Sequence, residues 1–235
     1  MKREDANEKQ PNQGKKQRTC IPEKDECTTD PLLAVNGKSL FDAAQAGELK
    51  RVIELCPLSN IDSRYSYVNA NGTIVHDATP LFIACRQNHT TIVEVLLALG
   101  ANIETADRNG RTPLLASCQQ GHTQIITLLL NRSANIETTD RNGWTPLLAA
   151  CQRGHTEAMK VLLDHSANIE TADRDGQTSI LIACMRGDPE MITLLLDFGA
   201  NTKSSSNDGW TPMYLARENG YTKVMKLLLS RGAKY

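Results

Sequence analysis

The sequence predicts an all-α repeat solenoid of about six stacked helix–turn–helix units with projecting hairpin loops. Three observations predict it. The chain matches itself at a spacing of 33 residues: "DRNGRTPLLASCQQGHTQIITLLLNRSANIETT" from Asp107 is followed by "DRNGWTPLLAACQRGHTEAMKVLLDHSANIETA" from Asp140. That register continues from Asp173 and Asp208, and backwards through "ATPLFIACRQNHTTIVEVLLALGANIETA". Only 4% of residues are aromatic against 40% hydrophobic, which calls for a core of Leu, Ile, Val and Ala on many short helices. Finally, Thr-Pro and Gly recur at matching places, where a helix would begin and end.

Each element of the unit follows from its residues. Thr112 is a good N-cap and Pro113 fits the first helical position, so "PLLASCQQ" predicts a two-turn helix that Gly121 ends in a left-handed conformation. "HTQIITLLLNR" then gathers Ile125, Ile126, Leu128, Leu129 and Leu130 on one broad apolar face, predicting a second helix. "ANIETTDRNG" is a polar link whose Asp-x-Asn-Gly run favours a tight turn before the next Thr-Pro. Ser133 and Ser166 stand where other copies carry Gly100, Gly199 and Gly232. If those positions have positive φ, each Ser costs on the order of 1 kcal/mol relative to Gly.

The units fall at about 36–73, 74–106, 107–139, 140–172, 173–205 and 206–235, behind a tail over 1–35 whose Lys, Glu, Gln and Asn read as disordered. The first copy, "GKSLFDAAQAGELKRVIELC", is divergent, and the last mixes Arg217, Glu218 and Lys226 into its helices. Terminal units need such polar outer faces because nothing stacks beyond them. One irregularity is specific: Leu40 to Leu81 spans 41 residues, eight more than the repeat. The excess lies in "SRYSYVNANGTIVHD", where Tyr65 and Tyr67 alternate with polar residues ahead of Asn71-Gly72, predicting an extended β-hairpin finger.

With these residues in place, the chain resembles the ankyrin-repeat family. Gly110, Thr112, Pro113, Leu114, Gly121, His122, Leu128, Leu129 and Ala134 occupy that family's motif positions, and the resemblance covers roughly residues 36 to 235. It implies a curved stack whose hairpin tips and first helices form a concave surface for protein partners. The chain departs from the pattern in two places. The family's His after Thr-Pro-Leu is Phe82, Leu115, Leu148, Leu181 and Tyr214 here. Its frequent Asn at the end of the hairpin segment is Glu104, Glu137 and Glu170, against the asparaginyl hydroxylation known in the family.

The spacing of Cys118 to His122 could suit a metal or a nucleophile and base pair, but Cys85, Cys118, Cys151 and Cys184 recur every 33 residues. They read as small buried hydrophobes in stacked helices, whose separation of ~8 to 10 Å exceeds what a disulfide spans. Gly121 and Gly154 lie before His122 and His155, so each helix ends before its His, and no orienting third group is evident. Cys20 and Cys27 would need two further ligands for zinc. No catalytic residue, metal site or cofactor is expected.

The positions that vary between copies are the candidate partner-binding residues. At the tip these are Arg111, Trp144, Gln177 and Trp210, and on the first helices Arg86, Gln119, Gln120, Gln152, Arg153, Met185 and Arg186. Tyr65 and Tyr67 join them from the finger. Both tryptophans are first choices, because Trp and Arg dominate interface hot spots. The competing reading packs each indole across its own hairpin. Arg86, Arg111, Arg153 and Arg186 would suit a partner with an acidic segment.

The expected function is thus a non-catalytic protein-binding scaffold or adaptor, acting as a monomer. A regulatory inhibitor or substrate-recruiting adaptor, in an assembly such as a ubiquitin ligase or a transcription-regulating complex, is the second reading. A Cys/His enzyme is the third. A net charge of -1 gives no reason to expect nucleic acid. No apolar leader and no run of ~20 apolar residues occurs, so an intracellular, cytoplasmic protein is expected. "KKQR" at 15–18 adds a weak basic signal for the nucleus.

Overall fold

The computed structural model describes residues 31–233, with side chains from residue 36 onward. The tail over 1–30, with "KKQR", Cys20 and Cys27, lies outside the described residues. Residues 31–35, grouped with the tail from composition, instead open the first helix.

Among the described residues, six consecutive helix pairs make the stack. They are α1 (Pro31–Ala46) with α2 (Leu49–Leu55), α3 (Pro80–Arg86) with α4 (Thr90–Ala98), and α5 (Pro113–Gln120) with α6 (Thr123–Asn131). Then come α7 (Pro146–Arg153) with α8 (Thr156–Asp164), α9 (Ser179–Arg186) with α10 (Pro189–Asp197), and α11 (Pro212–Glu218) with α12 (Thr222–Ser230). First helices touch first helices in series, α1, α3, α5, α7, α9 and α11, and second helices do likewise from α2 to α12. One apolar core therefore runs the length of the stack, including Phe41, Phe82, Leu115, Ile126, Leu148, Leu181 and Leu228.

The local chemistry behaves as the residues demand. Thr79, Thr112, Thr145 and Thr211 each cap a first helix, their Oγ1 atoms accepting the N–H of Phe82 (3.2 Å), Leu115 (3.3 Å), Leu148 (3.2 Å) and Tyr214 (3.2 Å). Thr178 makes no such cap. There the usual Pro is Ser179, whose Oγ is buried without a hydrogen-bond partner. Gly121, Gly154 and Gly187 end α5, α7 and α9 in left-handed conformations, φ 74, 78 and 69°. Asn88 ends the equivalent turn after α3 with φ 65°, a conformation Asn tolerates better than most residues.

Adjacent units are joined by two ladders. The Glu104 carboxylate accepts the Asn135 N–H (2.8 Å), Glu137 accepts from Asn168 (2.7 Å), and Glu170 accepts from Asn201 (2.8 Å). At the first junction Asp62 does the same for Asn102 (3.0 Å). Nearer the tips, Arg141 N–H donates to the Asn109 carbonyl (2.9 Å), Arg174 to Asn142 (3.3 Å) and Asn207 to Asp175 (3.0 Å).

The insertion forms a hairpin, β1 (Tyr65–Val68) antiparallel to β2 (Ile74–Ala78), closed by Asn69, whose Oδ1 accepts the N–H of Asn71 (2.9 Å) and Thr73 (3.0 Å). It continues the tip ladder: the His76 carbonyl accepts from Arg108 N–H (3.1 Å), in the place held 33 residues later by Asn109. The hairpin is present, but its aromatic side chains do not project. Tyr67 is 2% exposed, and Phe41 lies 5.7 Å from it and 5.4 Å from Tyr65, ring centre to centre.

Candidate protein-interaction face

Three successive hairpin tips are each built by one carboxylate. Asp107 Oδ1 accepts the N–H groups of Asn109 and Arg111, both at 2.9 Å, while its own N–H donates to the Arg111 carbonyl at 3.0 Å. Asp140 and Asp173 repeat this arrangement for Asn142 with Trp144 and for Asp175 with Gln177. Ser206 Oγ, shorter by a carbonyl, accepts only from Trp210 (3.2 Å). The bonds to Arg111, Trp144, Gln177 and Trp210 fix where the residue before Thr emerges in these four copies. Gly110 also needs its missing Cβ: φ is 81°, and a methyl there would lie 3.2 Å from Arg141 N.

The Cys–His spacing resolves into two unrelated packing roles. Cys85, Cys118, Cys151 and Cys184 are fully buried, and burial raises every thiol pKa, to about 12 for Cys85 and Cys184. Burial that disfavours the thiolate makes these thiols poor nucleophiles and poor metal ligands. The histidines lie in the turns and look backwards along the stack. Nε2 of His89 contacts the Gln45 carbonyl (3.2 Å), His122 that of Arg86 (3.1 Å) and His155 that of Gln119 (3.3 Å). Each ring, donating from Nε2, thus ties its unit to the one before. Burial lowers the His122 pKa most, the Arg86 carbonyl opposes that, and His155 adds to the lowering. In the next unit Arg186 takes over, its Nη1 donating to the Gln152 carbonyl at 2.7 Å.

Five of the sequence-predicted residues converge. Trp144, Gln152, Gln177 and Met185 line an open groove of about 360 Å³ with Asn142, Asp173, Arg174, Asp175 and Ile182. Gln177 and Met185 also border a neighbouring groove of about 400 Å³ with Trp210, Asp175, Leu181, Ser206, Asp208 and Leu215. Trp144 is half-buried against the core, whereas Trp210 is 41% exposed and meets the Tyr214 ring edge-on at 5.2 Å.

The other predicted residues fare differently. Tyr67 is corrected outright: it is buried, because the finger folds back on Phe41 and supplies core that the divergent first unit lacks. Tyr65 is half-buried on the same ring and packs against the core. Arg111 is also corrected as a free positive charge. Its Nε donates to Asp107 at 2.8 Å, its guanidinium sits 5.9 Å over Phe82, and its side chain is 16% exposed. Arg186 is exposed but is directed at Gln152 and over Gly154. Gln120 and Arg153 are exposed, Arg86 and Gln119 half-buried, and none of the four lines either groove.

Sequence reasoning passed over the carboxylates of these grooves. The third residue of the four-residue turn runs Asn109, Asn142, Asp175, Asp208, turning acidic only in the last two copies, and that change was the available signal.

The stacked helix pairs with turns projecting along one edge define the class of helical-repeat proteins. The family description ankyrin repeats, in three copies, matches residues 40–140, 99–173 and 166–235. The chain belongs to the ankyrin-repeat family, whose members are generally protein–protein interaction modules. No helix among the described residues is long and apolar enough to cross a membrane.

Proposed function

We propose that this chain is a non-catalytic scaffold or adaptor that holds a segment of a partner protein along the tips and first helices of its later units. The observation that carries this reading is the convergence of Trp144, Gln152, Gln177, Met185 and Trp210 on two adjoining grooves. Two tryptophans and a methionine on a rigid, hydrogen-bonded frame offer large contact area at little cost in ordering. Among the described residues, five buried cysteines without disulfides suit an intracellular, reducing compartment. The acidic segment expected for the arginine row finds no support at these grooves: Arg111 is paired with Asp107, and Arg86, Arg153 and Arg186 line neither groove.

Affinity capture from the native cell tests the proposal, comparing wild type with Trp144→Ala/Trp210→Ala. A hot-spot role predicts loss of the partner, by about 2 kcal/mol or more per tryptophan in the affinity. Retention of the same partners by the double variant, with an unchanged melting curve, would refute it.

A further inference from the structure

We infer that the segment held between Trp144 and Trp210 is basic: an extended stretch of a partner protein in which Lys or Arg lies beside aliphatic side chains. The inference rests on the reading that this face binds protein, and names what the face selects.

The groove floors are apolar, formed by Ile182 (3% exposed), Leu181 (0%) and Leu215 (5%), and their walls include Met185 and the two indoles. Such sockets take aliphatic side chains. The charges around them are predominantly negative. Asp173, Asp175 and Asp208 line the pair of grooves against Arg174 alone. Asp173 Oδ1 is engaged by its own turn, accepting from Asp175 N–H at 3.0 Å and Gln177 N–H at 2.9 Å. Asp175 and Asp208 are exposed, and among the described residues neither carboxylate is in an ion pair. Asp175 borders both grooves, so any segment running from one to the other passes it.

Arg174 offsets one of these three carboxylates, and the other arginines of this region line neither groove. Arg153 lines neither groove, and Arg186 is held at the far end of its helix by the Gln152 carbonyl. A carboxylate on the partner would therefore meet an excess of negative charge at Asp175 and Asp208, whereas an ammonium or guanidinium would pair with them and lie against the indole faces. Stacked units repeat at roughly 10 Å and an extended chain rises about 3.3 Å per residue, so about three residues separate the two sockets. The favoured segment carries aliphatic residues at that spacing with basic residues between or beside them.

A phage-displayed library of random dodecapeptides, panned on the full chain, tests this. Selected peptides should be enriched in Lys and Arg within four residues of Leu, Ile, Val or Met. As synthetic peptides they should bind about tenfold more weakly to Asp175→Asn/Asp208→Asn, two exposed charge contacts being worth roughly that together. Added salt should weaken binding to wild type more than to this variant. Enrichment of acidic peptides, or affinities indifferent to the Asp175→Asn/Asp208→Asn change, would overturn the inference and leave the protein-binding reading standing. Peptides that bind Trp144→Ala/Trp210→Ala as well as wild type, or no enrichment at all, would sink both.

Discussion

Ser133→Gly and Ser166→Gly should each stabilise the protein, and the structure supplies the arithmetic. Both serines hold left-handed backbone, φ 62 and 66°, at the turn where Gly100, Gly199 and Gly232 have φ 90, 85 and 84°. An L-residue pays about 1–2 kcal/mol for that conformation, while glycine gives back about 0.4–1 kcal/mol through its freer unfolded chain. The net gain is about 0.5–1 kcal/mol per site. Both side chains are exposed, and no methyl built at the three glycines finds a neighbour within 4 Å, so sterics beyond the backbone do not enter. The sites lie in different units and should add, giving the double variant about 1–2 kcal/mol, or a rise in Tm of roughly 2–8 °C for a chain of this size. Urea unfolding followed by circular dichroism measures it, with the slope m unchanged. Gly100→Ser and Gly199→Ser form the mirror experiment and should lose what the others gain. Unchanged or lowered stability in Ser133→Gly/Ser166→Gly would refute the backbone argument.

Three further outcomes are expected. His122 has a pKa depressed by burial, so the folded state binds fewer protons than the unfolded; its contribution is complete above about 6.5 and is lost as pH falls through the lowered folded value. Tm measured from pH 8 to 5 should therefore fall less steeply in His122→Gln than in wild type. The thiols of Cys85, Cys118, Cys151 and Cys184 should react with a disulfide reagent only after unfolding, and a fast-reacting Cys118 or Cys151 in the native protein would revive the enzyme reading. Ser179→Pro should stabilise by about 0.4–1 kcal/mol in thermal melts, since it restricts the unfolded chain at a helix start and removes the partnerless Oγ.

The parts of the fold that were legible in the sequence are those set by local chemistry repeated in register. Thr-Pro starts, Gly ends and Asp-x-Asn-Gly turns fall where they were expected because capping, left-handed backbone and side-chain acceptors act within four residues. The insertion shows where such reasoning stops. Alternation correctly placed Tyr65 and Tyr67 on one hairpin strand, but which face is covered depends on Phe41, 24 residues before Tyr65, and that contact is tertiary. Arg111 was misjudged for the opposite reason. Its ion-pair partner Asp107 is only four residues away, but position in the repeat drew attention to the surface rather than to the turn beneath it. The groove carboxylates escaped because Asn and Asp serve a tip equally well as turn formers, and only their charge distinguishes Asp175 and Asp208 from Asn142.

The glutamate ladder makes the units interchangeable. Glu104, Glu137 and Glu170 each grip the next unit by a main-chain N–H, which every residue but proline possesses; at Glu137 the Thr171 hydroxyl adds a longer contact of 3.4 Å. A unit that ends in this Glu can therefore be followed by any other that begins with the same backbone turn. Duplication, loss or exchange of a 33-residue segment leaves the junction chemistry intact, and the surface residues can diverge copy by copy without renegotiating how the copies join.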